Sequence, residues 1–164
     1  MPAVFAWIET NAGPVESTAT NLNFGSIDQT DLDETAYPIL AGTRSFEKYV
    51  QADFSGAFTS ISDLRFYLSA GSVSAAEPLL ASIATSGYVQ PAFASPVQSA
   101  STQAINAIPS GNPGSANVGI SGSLAGSLVV PGRSDFIVAQ LGISASAEAG
   151  ALPSKTFTLE WLEV

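Results

Sequence analysis

Short segments of alternating apolar and polar residues, separated by turns rich in Gly and Pro, constrain the fold of this chain most. Alternation is the pattern of a β-strand, in which successive side chains point to opposite faces. It is clearest from Phe46 to Phe54 and recurs at 4–9, 61–68 and 156–164. Because no long amphipathic helix is apparent, the sequence predicts an all-β fold, an antiparallel β-sandwich or jelly roll.

Further strands complete this prediction. Residues 135–143 are apolar on both faces, which is typical of a central strand. Residues 21–27 are predicted to form a short strand, and 46–54 and 61–68 an antiparallel pair across a Gly-containing connection. The two terminal strands carry Trp7 and Trp161. Their pairing would close the sandwich and shield its edges.

The middle of the chain, residues 71–133, has a different composition. Between Gly71 and Arg133 the only charged residue is Glu77, and Ala, Ser, Gly and Pro dominate. The spacing predicts a short helix at 75–84, a turn at 109–114 and a weak strand within 120–130. Too many apolar residues are present for a disordered linker. We interpret 71–133 as an ordered, low-charge, loop-rich excursion within a single domain, residues 1–164.

Composition limits the partners. Charged residues make up 12% of the chain, against about 25% in typical soluble proteins. So neutral a surface favours packing against another subunit, and we expect a homo-oligomer or docking onto a larger assembly. The net charge of −9 argues against nucleic-acid and membrane binding. The sequence shows no signal peptide or membrane helix, so we expect synthesis in the cytoplasm without export.

The chain has no histidine and no cysteine. Ser-His-Asp and Cys-His catalysis and Cys/His zinc sites are therefore excluded. A Ser-Lys dyad would need Lys48 or Lys155, both predicted to be solvent-facing or in turns. Glycoside hydrolysis would need two suitably placed carboxylates, and the candidate pairs are Glu160 with Glu163 and Asp53 with Asp63. Nothing singles out either pair, so the sequence predicts no enzyme, and no catalytic, cofactor or metal residues.

Two weaker patterns are also present. Asp28, Asp31, Asp33 and Glu34 form an acidic cluster with the ligand type that calcium prefers. It lacks the spacing of an EF-hand loop, which favours an ordinary acidic turn. Several aromatic residues could form a sugar-binding platform, although such positions more often belong to the core. They are Trp7, Tyr49, Phe66, Tyr67 and Trp161.

Six segments of the chain carry a resemblance to known proteins: FAWIETN (5–11), TNLNFGS (20–26), AGTRSFEKY (41–49), FSGAFT (54–59), LRFY (64–67) and FTLEWLEV (157–164). These segments resemble a family of small virion proteins of tailed bacteriophages, in particular capsid decoration or cement proteins. The resemblance covers the ends of the chain well and the middle poorly. It implies an all-β module, commonly a homotrimer, that binds the outer shell where major capsid subunits meet.

Residues and resemblance together predict a non-enzymatic virion protein with the major capsid protein and itself as partners. Some decoration proteins attach through a flexible N-terminal arm, but here strand-like sequence begins at Val4. Capsid contact is therefore expected from loops or from 71–133. The alternative is a tail, fibre or baseplate component with a carbohydrate-binding role.

Overall fold

The computed structural model describes residues 2–11, 14–73, 79–85, 106–148, 150 and 153–164. In these residues the chain forms strands and no helix, which confirms the predicted all-β class. The strands are β1 (Val4–Asn11), β2 (Val15–Thr18), β3 (Lys48–Ser55), β4 (Ile61–Ala70), β5 (Leu79–Thr85), β6 (Asn106–Ala107), β7 (Ser127–Leu128), β8 (Gly132–Arg133), β9 (Phe136–Leu141) and β10 (Thr156–Glu163).

The strands form two sheets, and within each sheet all neighbouring strands are antiparallel. The larger sheet has seven strands in the order β2-β1-β3-β9-β5-β6, with β8 also paired to β3. The smaller sheet has the order β10-β4-β7. The strand β9 lies between β3 and β5, and its residues 137–141 are buried on both faces. The prediction of a central strand at 135–143 is thus confirmed.

The core lies between the inner faces of the two sheets. From the larger sheet, Val50, Ala52 and Phe54 of β3 point inward at alternate positions. From the smaller sheet, Phe66 of β4 and Leu159 of β10 pack against them. The period of two in the sequence therefore selects the buried face of each strand. This arrangement is a β-sandwich.

The predicted hairpin of 46–54 with 61–68 is wrong. β3 belongs to the seven-stranded sheet and β4 to the three-stranded sheet, so the connection after Ser55 crosses between sheets. Gly56 has φ +84°, a conformation that glycine adopts without steric cost and that helps the chain leave the first sheet. The alternation within each strand determines which of its faces is buried. It does not determine whether the next strand pairs in the same sheet or lies in the opposite sheet.

The predicted pairing of the terminal strands is also wrong, because β1 and β10 lie in different sheets. They meet through side chains across the core instead, with the Phe5 and Trp161 rings stacked 5.4 Å apart. Closing the sandwich by aromatic packing buries the same apolar faces without a shared hydrogen-bond ladder. The edges of the two sheets are thus not joined at this point.

Three local predictions need correction. Residues 21–27 form no strand; Phe24 packs on the core from a loop. Residues 79–85 form β5 rather than part of a helix, because they supply hydrogen-bond partners to the open edge of β9. Within 120–130 the strand is limited to Ser127–Leu128. Residues 74–78 and 86–105, which hold the rest of the predicted helix and most of 90–108, lie outside the described residues.

Candidate functional site

The carboxylates considered for glycoside hydrolysis are not brought together as pairs. Asp53 Oδ1 accepts a hydrogen bond from Arg133 Nε at 3.0 Å in the seven-stranded sheet. Asp63 is paired with Arg65 in the three-stranded sheet, and this hydrogen bond lowers the pKa of Asp63 below its usual value. The two carboxylates therefore lie in different sheets, each engaged by its own arginine.

Glu160 and Glu163 likewise have separate structural partners. Glu160 accepts hydrogen bonds from the Tyr67 hydroxyl and from Asn112 Nδ2, and the first of these raises the pKa of Tyr67. Glu163 Oε1 accepts the backbone N–H of Ala3 at 2.8 Å. Each of these two carboxylates is therefore engaged by its own strand or loop partners.

The acidic cluster at 28–34 acts as a set of turn caps. Asp31 Oδ1 accepts the backbone N–H of Asn21 at 2.9 Å, and this bond is the largest cause of the lowered pKa of Asp31. Asp33 Oδ1 accepts the N–H of Thr35 at 2.9 Å, and Glu34 Oε2 accepts Asn23 Nδ2 at 3.3 Å. In the part of the chain that the structure describes, no three His, Cys, Asp or Glu residues are grouped to hold a metal ion.

The aromatic residues do not form an exposed platform. Tyr49 and Phe66 are almost completely buried, and Trp7 contacts Phe66 edge-on at 6.1 Å across the core. A cleft of about 340 Å³, including its open mouth, lies beside Trp7, Phe66 and Phe157. Its polar rim residues, Thr20 and Asn21, already donate hydrogen bonds to Asp31. The cleft is thus an apolar opening between the sheets with few free polar groups.

Lys48 is a clear departure from expectation. Its sequence context predicts a solvent-facing or turn position, but its side chain is fully buried, as is that of Glu9. Lys48 Nζ donates to Glu9 Oε1 at 2.8 Å and to the carbonyl of Gln29. Lys48 lies on the inward face that continues into Val50 and Ala52, so strand alternation carries it inside. The sequence does contain a signal for this burial, because Lys48 and Glu9 each interrupt an otherwise apolar strand face.

A polar cluster surrounds this ion pair. We call Glu9, Asn11, Asp28, Thr30 and Lys48 the polar end cluster. The Asn11 amide is satisfied when Nδ2 donates to Glu9 Oε1 and Asp28 Oδ1, both at 2.8 Å, and Oδ1 accepts from Thr30 Oγ1 at 2.5 Å. Burial raises the pKa of Glu9, and the charge of Lys48 opposes that rise. Sequence reasoning missed this cluster because its members come from β1, from β3 and from the loop between β2 and β3.

The opposite end of β1 carries a different surface. Segments 2–4, 55–60, 128–132 and 162–164 meet there, as shown by the pairs Val4–Ser55 and Ile61–Leu128 and by the N–H of Ser60 donating to the carbonyl of Val164 at 2.9 Å. These four segments contain one charged side chain, that of Glu163. Five exposed apolar residues belong to this surface, which we call the valine end: Val4 (61% exposed), Val129 (66%), Val130 (65%), Leu162 (54%) and Val164 (65%).

Comparison of the chain with protein-family models, with curated proteins and with solved structures gives no match. Within the described residues there is also no helix of the length and apolar character needed to cross a membrane. The function is therefore inferred from the residues of the chain itself.

Proposed function

We propose that this chain is a non-enzymatic structural protein of a tailed-phage virion, a decoration protein that binds the major capsid protein on the outer shell. The observation that supports this proposal is the valine end, where four valines and a leucine are more than half exposed beside a single charged side chain. Exposed apolar patches of this kind mark protein-binding surfaces.

The position of the valine end suits a contact surface. It is built from strand ends and short loops that the two sheets hold in place, so contact requires little ordering of the chain. Val129 and Val130 lie between β7 of the smaller sheet and β8 of the larger one. A partner bound there touches both sheets at once.

Binding of this kind stabilises a shell by mass action, because the protein binds assembled subunits and not dissociated ones. By the family resemblance we further propose that the bound form is a homotrimer located on the virion, with each copy contacting neighbouring capsid subunits. Size-exclusion chromatography with light scattering measures this oligomeric state directly.

The test is a shell-binding and heat-rupture assay with purified capsids. Wild-type protein is expected to co-sediment with shells and raise their rupture temperature. The double substitution Val129→Asp/Val130→Asp should abolish both effects while leaving the isolated protein folded, since exposed positions tolerate change within about 0.5 kcal/mol.

Val15→Asp is the matched control. Val15 is 59% exposed on β2 and pairs with Asn11, at the opposite end of β1 from Val4. This variant should bind and protect shells like the wild type. Equal rupture temperatures with and without wild-type protein would refute the decoration role, and specific binding on a glycan array would favour a tail or fibre component instead.

A further inference from the structure

The polar end cluster places an amine, a carboxamide and a carboxylate on one face of the larger sheet. The register pairs Thr10 of β1 with Tyr49 of β3, so one further step along the strands sets Asn11 opposite Lys48. Residues directly opposite on antiparallel strands point to the same face, with Cβ atoms about 5 Å apart. Glu9, two residues before Asn11, shares that face.

The three side chains converge on one atom. Lys48 Nζ and Asn11 Nδ2 each lie 2.8 Å from Glu9 Oε1. The carbonyl of Gln29 accepts a second hydrogen bond from Lys48 and fixes the direction of its amine. On the other side of the amide, Thr30 Oγ1 donates to Asn11 Oδ1 and is itself 2.9 Å from Ser17 Oγ. The amine, the amide and a shared carboxylate are thus held together by groups around them.

From this geometry we propose that Lys48 and Asn11 form an intramolecular isopeptide bond, with Glu9 transferring the protons. Lys48 first gives a proton to Glu9, and the neutral Nζ attacks Cγ of Asn11. The Nζ–Cγ bond forms and the Cγ–Nδ2 bond breaks, with its electron pair leaving on ammonia. Glu9 protonates the leaving nitrogen and takes a proton from Nζ, and that proton then passes to the released ammonia. The products are one amide cross-link and one ammonium ion, with no oxidation or reduction.

The surroundings favour each step. The side chains of Lys48 and Glu9 are fully buried, and Asn11 is 8% exposed, so water is largely excluded. Glu9 Oε2 is buried without a hydrogen-bond partner in the described residues. A carboxylate with one unsatisfied oxygen is poorly stabilised as an anion, which favours proton transfer from Lys48. Thr30 donates to the oxygen on which negative charge develops during attack.

The reactive groups also need no diffusion to meet. Because the amine and the amide are held against the same carboxylate oxygen, an intramolecular step replaces a bimolecular encounter, and the entropy lost in such an encounter is a large part of the barrier. No residue of the valine end takes part, so this reaction is independent of the proposed binding role. The bond would covalently join β1 to β3 and close the chain segment between residues 11 and 48.

Intact mass spectrometry of the denatured full-length protein tests the proposal. We expect the wild-type chain to be lighter than its sequence by the mass of one ammonia. Lys48→Arg and Asn11→Ala should each restore the full mass expected for the variant. Glu9→Gln should slow or stop the loss, because Gln cannot transfer the protons. Lys155→Arg is the matched control, since Lys155 lies outside the polar end cluster and its Nζ donates to the Pro153 carbonyl, and this variant should lose ammonia like the wild type.

Trypsin digestion locates the bond. Acylated Lys48 resists cleavage, so the peptide ending at Arg44 should be recovered joined to residues 45–65. A wild-type chain at full mass would overturn the proposal whether or not the variants fold. So would loss of ammonia that persists in Lys48→Arg with normal cleavage after Lys48 in the wild type, because that pattern indicates cyclisation at an asparagine. Loss of one water would also overturn it, since the amine would then have joined a carboxylate.

Discussion

Trp161 joins the two sheets, and its replacement by alanine is expected to lower the free energy of unfolding by about 3 kcal/mol, the lower end of the range for large aromatic residues. Its ring stacks on Phe5 of β1 at 5.4 Å and meets Phe54 of β3 edge-on at 5.2 Å. The lower end applies because Trp161 is only partly buried. The expected decrease in the free energy of unfolding combines the loss of buried apolar area with the loss of two aromatic contacts, which contribute about 0.5–1.5 kcal/mol each.

A double-mutant cycle isolates one of these contacts. Phe5→Leu, Trp161→Leu and the double variant keep apolar bulk while removing the stacked rings, so the coupling energy should be about 0.5–1.5 kcal/mol. Urea denaturation followed by circular dichroism measures each variant, and the fluorescence of Trp7 gives a second probe of the same transition.

Leu162→Ala serves as the control. Leu162 follows Trp161 on β10 but is 54% exposed, so its truncation should change stability by no more than about 0.5 kcal/mol. This role of Trp161 is refuted if Trp161→Ala lowers the free energy of unfolding no more than Leu162→Ala does, or if the cycle shows no coupling between Phe5 and Trp161. Either result would mean that the rings do not hold the sheets together.

Two further predictions concern turns. Gly126→Ala should destabilise the fold by more than about 1 kcal/mol, because a Cβ there would lie 2.3 Å from the carbonyl oxygen of Ile120. Gly111→Ala, with open space around it, should be neutral or slightly stabilising; equal thermal melting of the two variants would contradict this. Asp31→Asn should destabilise at neutral pH, because the pKa of Asp31 is lowered from 3.8 by the Asn21 N–H. That stabilisation is present above pH 3.8 and is lost as pH falls through the lower folded pKa, so a deficit that is unchanged at acid pH in urea titrations would refute it.

The strand faces could be predicted from the sequence, whereas the pairing between strands could not. Val50, Ala52 and Phe54 are buried as the alternation from Phe46 to Phe54 indicates, because a period of two is a local property. The long partner of β4 is β10, whose residues lie about 90 positions later, and its other edge pairs with the short strand β7. Nothing in the alternation of residues 61–68 distinguishes that distant partner from the nearby β3.

The candidate sites show the same limit. The sequence places Lys48 on an apolar face and Glu9 beside Phe5 and Trp7, but only the β1–β3 register brings the two charges together. The valine end is even harder to predict from the sequence. Val129 and Val130 join Val4 there through pairings of both sheets, and an exposed valine in a Gly-rich loop carries no local sign of its neighbours.

The arrangement of charges explains how one chain can be strongly acidic and still carry the proposed contact surface. Lys48 is neutralised internally by Glu9, and Arg133 bridges Glu16 and Asp53 on the larger sheet. Because its 14 acidic residues outnumber its five basic residues, the chain still keeps a net charge of −9. Repulsion between copies acts over about 8 Å at physiological ionic strength, and it is weakest where charge is absent. Contact at the valine end would consequently meet little electrostatic opposition, because its four segments carry one charged side chain, and it would bury five exposed apolar side chains.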